Sequence, residues 1–172
     1  LDTGVDSTHP DLSSKLLPGW NAVDGSNETS DIQGHGTAVA GTAAAQTNNA
    51  NGVASVAANA MILPVRVTNT SDGYAYFSDI ARGLIWAADN GADVANISYG
   101  VSNSATVANA AQYMRSKGGL VVVAAGNDGA DPGYANNPYL ISVSATDSSD
   151  AKASWSNYGA FIDVAAPGVS IQ

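Results

Sequence analysis

Short apolar runs alternate with apolar residues at helical spacing through most of the chain. Met61-Ile62-Leu63-Pro64-Val65-Arg66-Val67 reads as a strand, with Pro64 an awkward member. Ser78 is placed to cap a helix through Ile80, Leu84, Ala87 and Ala88, which Gly91 stops. Asp93 to Ser98 is the next strand. Ser104 caps a second helix with Val107, Ala110, Ala111 and Met114 on one face, ended by Gly118. Leu120-Val121-Val122-Val123-Ala124-Ala125 is continuously apolar, as expected of a central strand covered on both faces. Leu140 to Ala145 and Phe161 to Ala166 are further strand candidates. Strands separated by helices imply right-handed crossovers and a mostly parallel central sheet flanked by helices, a three-layer α/β fold.

Parallel sheets place ligand sites beyond the carboxyl ends of their strands. Asp2, Ser98-Tyr99-Gly100 and Gly126-Asn127 each follow an apolar residue or run. The earlier part of the chain adds a histidine. His35, one of two in the sequence, stands between Gly34 and Gly36 and opens a run of small residues suited to a tightly buried helix. At a first helical turn the macrodipole disfavours imidazolium, which suits a general base unless a carboxylate restores the balance. An aspartate bonded to one imidazole nitrogen fixes the tautomer and leaves the other to take a proton from a nucleophile. Asp2 and His35 come from different elements, as such a pair requires. Taken singly, Asp2 also reads as a turn residue, His35 as structural and Asn127 as a left-handed turn residue.

The segment from Gly25 to Gln33 reads as a polar surface loop. Thr47-Asn48-Asn49-Ala50-Asn51-Gly52-Val53 is either an asparagine-rich turn or a wrapper for a hard cation, and spacing favours the turn.

Composition removes whole classes of function. Six basic and fifteen acidic residues give a net charge of −9, so there is no basic stripe for nucleic acid. The absence of cysteine excludes disulfides, thiolate metal sites and a cysteine nucleophile. No apolar run approaches a membrane span, and no membrane partner is expected. With 172 residues, the chain is read as one domain. Neither Gly-x-Gly-x-x-Gly nor a phosphate loop is present, which makes a nucleotide-binding domain remote.

Five segments then resemble the subtilisin-like serine proteases, the subtilases, in family order. Leu1-Asp2-Thr3-Gly4-Val5 with His9-Pro10-Asp11-Leu12 resembles the segment around the catalytic aspartate. Gly34-His35-Gly36-Thr37 with Val39-Ala40-Gly41-Thr42 resembles the catalytic-histidine segment. Asn96-Ile97-Ser98-Tyr99-Gly100 is similar to the strand along which the family lays its substrate, and Ala124-Ala125-Gly126-Asn127 to the segment carrying the oxyanion asparagine. Val164-Ala165-Ala166-Pro167-Gly168-Val169 resembles a stretch that precedes the nucleophile.

The resemblance implies a secreted, extracellular serine endopeptidase acting on protein or peptide substrates, with a monomer expected. Asp2, His35 and Asn127 would be catalytic. Ser98, Tyr99 and Gly100, with Gly73, Tyr74 and Ala75, would bind substrate as an extended strand. Ala124, Ala125 and Gly126 would form a roomy pocket for a large apolar residue. It also implies a structural calcium site using the Asp11 and Asn49 side chains and the carbonyls of Thr47, Asn51 and Val53.

Departures are visible too. Ala38 stands where many subtilases have a second histidine. Tyr99 replaces a smaller aliphatic residue, and its ring is expected to narrow or line the cleft. The Gly-Thr-Ser segment of the nucleophile is not among these residues and, by family spacing, is expected roughly fifteen residues beyond Gln172. Residues 1–172 therefore read as a partial subtilase catalytic domain, inactive by itself. The alternative is a noncatalytic peptide-binding pseudo-protease or an inactive fragment.

Overall fold

Pro64 shortens the first strand predicted. In the computed structural model, which describes residues 1–171, the run at 61–67 contributes only Val65–Arg66 to regular strand, with an isolated bridge from Leu16 to Ile62 before the proline. A proline has no N–H to offer a ladder, and the pairing restarts after it. In chain order the elements are β1 (Trp20–Asn21), α1 (His35–Ala44), β2 (Val65–Arg66), α2 (Phe77–Asp89), β3 (Val94–Ile97), α3 (Ala105–Ser116), β4 (Leu120–Ala124), β5 (Ile141–Thr146) and β6 (Val164–Pro167). The chain divides into two units, 1–87 and 88–171, the division falling within the last turn of α2.

In the first unit, β1 and β2 pair in parallel, Trp20 with Val65 and Asn21 with Arg66. Asp2 bridges Arg66 from the other side, through Asp2 N to Val65 O at 3.1 Å and Val67 N to Asp2 O at 2.9 Å. The pairing holds the Asp2 backbone rigidly. Helix α1 buries Gly36, Ala40 and Ala44, a stripe at fourfold spacing whose small side chains permit close approach. Val5, Leu12, Ala40 and Ala45 form a core cluster that Leu16, Val53 and Ile62 cover. Helix α2 starts at Phe77, so Ser78 lies inside its first turn rather than at its cap, and Trp86 stacks on Trp20 at 5.5 Å between ring centroids.

The second unit holds a four-stranded, all-parallel sheet in the order β3-β4-β5-β6. Helix α3 packs against β4 and buries the predicted stripe of Val107, Ala110, Ala111 and Met114. Its cap is the predicted Ser104, which accepts from Val107 N. Strand β4 departs from the expectation of burial on both faces. Val121 and Val123 are buried while Leu120 is 37% exposed. The same alternation of Ala95 and Ile97 in β3 and Ser142 and Ser144 in β5 shows one covered face among the described residues. The last strand begins at Val164 rather than Phe161, whose ring is buried in the preceding turn against Tyr134.

Candidate active site

Asp2 and His35, 33 positions apart in sequence, meet in the first unit. His35 Nδ1 lies 2.7 Å from Asp2 Oδ1, the aspartate side chain 9% exposed and the histidine side chain 47% exposed. The ring is thus anchored on its protected side and open on the other. Its Nε2 has no hydrogen-bond partner among the described residues. Asp2 Oδ1 also accepts the Thr3 amide at 2.8 Å, and Oδ2 is buried without a partner. A dry, unshared carboxylate oxygen leaves its negative potential available to an imidazolium beside it.

The start of α1 is held where the pair needs it. Gly34, at φ 98°, turns the chain into the helix without a side-chain cap of its own. Gln33 Oε1 accepts from His35 N at 3.0 Å. Gly36 faces the first turn so closely that a Cβ there would lie 2.1 Å from Gly4 O and 3.1 Å from the Asp2 Cβ. Asp31, in the loop read simply as polar surface, accepts Thr37 Oγ1, Thr37 N, the Gln33 and Gly34 amides and Thr3 Oγ1. Burial opposes its charge, but these bonds outweigh it and hold the Asp31 carboxyl far below the usual carboxylate range.

A group whose pKa falls on folding adds stability above its unfolded value, near pH 4, and loses it as pH drops through the folded value. Denaturant midpoints should therefore fall below about pH 4, and Asp31→Asn should remove part of that slope. Parallel profiles for the two proteins below pH 4 would contradict this.

The substrate-binding candidates of the first unit sit beside this site. Gly73, at φ 76°, lies where a Cβ would touch Thr3 Cγ2 at 3.4 Å and Gln33 Cγ at 3.8 Å. Tyr74 is 63% exposed, whereas Ala75 is buried.

In the second unit a cleft of about 310 Å³ gathers Ser98, Ala124, Ala125, Gly126 and Asn127 from the ends of β3 and β4. Asn127 is exposed. Trp155, which sequence reasoning did not single out, lines the cleft, while half-buried Tyr99 and exposed Gly100 lie outside its lining. Asn157, 4% exposed, shapes the Asn127 loop. Its Oδ1 accepts from Asp128 N and Ala130 N, and its Nδ2 donates to Ala125 O and Asp128 Oδ2. No spacing rule links residues 29 positions apart, so no sequence signal pointed to Asn157.

The asparagine-rich loop closes on Asp11, which is 1% exposed. Asn49 Nδ2 donates to Asp11 Oδ1 at 2.6 Å and Val53 N to Oδ2 at 3.2 Å, while Asn51 N donates to Asn49 Oδ1 at 3.0 Å. Thr47 Oγ1 is buried without a partner. One buried carboxylate, an orphaned hydroxyl and the amide oxygens of the loop are the oxygen-only chemistry that a hard cation accepts.

The family model described as "Subtilase family" matches residues 1–172, and the chain belongs to that family. It is 48% identical over 174 residues to the thermophilic serine proteinase of Bacillus sp. (strain AK1), covering 99% of this chain and 43% of that protein. Against thermitase of Thermoactinomyces vulgaris the identity is 46%, covering 98% and 61%. The crystal structure of a cold-adapted subtilisin-like serine proteinase matches at a TM-score of 0.85 and 35% identity, covering 99% and 62%. The fold is thus the subtilisin-like three-layer α/β fold. The chain spans between 43% and 62% of the length of these proteins.

Proposed function

We propose that these residues form the acid–base half of a subtilisin-type serine endopeptidase whose nucleophilic serine is supplied from beyond residue 172. The observation that carries this reading is the 2.7 Å bond from His35 Nδ1 to a buried Asp2. Asp2 fixes the tautomer, and His35 takes the serine proton through Nε2 as the serine attacks a peptide carbonyl. As the tetrahedral oxyanion forms, the imidazolium is stabilised by the Asp2 carboxylate and the oxyanion by the Asn127 side-chain amide. His35 then protonates the leaving amine, and water repeats the sequence on the acyl-enzyme. The substrate is an extended protein or peptide segment, bound along Ser98–Gly100 and Gly73–Ala75 by main-chain hydrogen bonds. Its side chain enters the pocket beside Ala124, Ala125 and Gly126. We place the protein outside the cell, as a monomer. Among the described residues no helix is long and apolar enough to cross a membrane.

A serine-reactive phosphonate tests the reading. In the full-length protein it should label one serine beyond residue 172, and His35→Ala should abolish the labelling. The 172-residue chain should take no label. A full-length protein that takes no label would instead be a peptide-binding relative without catalysis.

Calcium would be held by the Asp11 and Asn49 side chains with the Thr47, Asn51 and Val53 carbonyls, and would supply charge neutralisation and loop rigidity rather than chemistry. Chelation should lower the thermal midpoint by several degrees, and added calcium should restore it; binding at 100 times Kd is worth about 2.7 kcal/mol. A midpoint that ignores both treatments would exclude the site.

A further inference from the structure

Asp31 joins the turn carrying Asp2 to the helix carrying His35 through two hydroxyls. Thr3 Oγ1 donates to Asp31 Oδ1 at 2.7 Å and accepts from Gly36 N at 3.0 Å. Thr37 Oγ1 donates to Asp31 Oδ2 at 2.6 Å and accepts from Asp6 N at 3.0 Å. Each hydroxyl therefore bonds Asp31 with its hydrogen and a main-chain amide with its oxygen, one amide in α1 and one in the first turn. The carboxylate also accepts the Gly34 and Thr37 amides, at 2.8 Å each, at the helix end where a negative charge is favoured. Without this anion, Gly34 starts the helix with no side-chain cap. We propose that Asp31 is a positioning residue for proton transfer, setting the distance between His35 and Asp2 by clamping Thr3 and Thr37 together.

The clamp acts on the ring indirectly. Gly36 and Thr37 follow His35 directly, and Thr3 follows Asp2, so a loosened clamp lets the two catalytic segments separate. Packing between Gly36 and Gly4 stops them approaching but cannot stop them parting. Hydrogen bonds that pull, opposed by a contact that pushes, define one separation. An amide in place of the carboxylate retains one acceptor oxygen and sets an N–H against donors at the other.

This inference rests on the proposed protease reading, and its test separates the two. In the full-length protein, Asp31→Asn should lower kcat about 30-fold with KM changed less than about twofold, since displacements below 1 Å are costly to proton transfer but not to substrate binding. In a His35→Ala background the same change should leave the residual rate unaltered. Equal losses in both backgrounds, or no loss with His35 present, would overturn the clamp. If His35→Ala does not slow the protein, the protease reading fails, and the clamp is then judged by proton NMR. The low-field resonance of the His35 Nδ1 proton should be present in the wild type and broadened or lost in Asp31→Asn; an unchanged resonance overturns the proposal. Should Asp31→Asn not fold, Thr3→Val removes the hydroxyl between Asp31 and Gly36 N and carries the same measurements.

Discussion

Asp2→Asn in the full-length protein should lower kcat by about 10⁴-fold near neutral pH, the size of effect this exchange has in a Ser-His-Asp triad. The local geometry says how. Oδ1 accepts both the Thr3 amide and His35 Nδ1, so the asparagine must put its carbonyl oxygen there to avoid setting its NH₂ against the Thr3 N–H. Its NH₂ is then left at the Oδ2 position, which is buried and offers no partner. The ring keeps an acceptor but loses the charge that stabilises imidazolium, while stability drops by about 1–3 kcal/mol for the unsatisfied amide. Steady-state kinetics and urea midpoints measured together test both halves. Activity within tenfold of wild type would remove Asp2 from the mechanism.

The second large effect is steric. Gly36→Ala should destabilise the protein by about 1–3 kcal/mol or more and lower kcat by roughly 100-fold. Helix propensity alone would favour alanine by about 1 kcal/mol. Against that, the new methyl would lie 2.1 Å from a main-chain oxygen, Gly4 O, which cannot rotate away as a side chain can. The first turn and α1 must move apart, and His35 moves from Asp2 with them. A urea midpoint and kcat both equal to wild type would show that the two segments part without cost.

Where the chemistry was legible, it was carried by short segments with their own local logic. His35 between two glycines, Asp2 before a turn and Asn127 after an apolar run could each be named as candidates because motif order restricted their meaning. The α3 stripe and its Ser104 cap were equally readable, since helical spacing and a capping hydroxyl are local properties. Strand extent was read less well. At 61–67 apolar character overstated a strand that Pro64 interrupts, and in β4 five apolar residues in a row concealed an alternation that only the neighbouring layer creates.

Asp31, Asn157 and Trp155 were passed over for one reason. Asp31 looked like any polar loop residue, because its meaning lies in Thr3, 28 positions earlier, as much as in nearby Thr37. Asn157 matters through amides at 128 and 130, and Trp155 through a cleft built from the ends of strands distant in sequence. By itself the sequence determined the family and the parallel α/β plan and named Asp2 and His35 as the candidate acid and base, because periodicity and motif order are properties of neighbouring residues. Tertiary structure alone decided which loop carboxylate anchors α1, how far His35 stands from Asp2 and which face of the second sheet is covered. Those depend on directional hydrogen bonds and close contacts between segments that no local pattern joins.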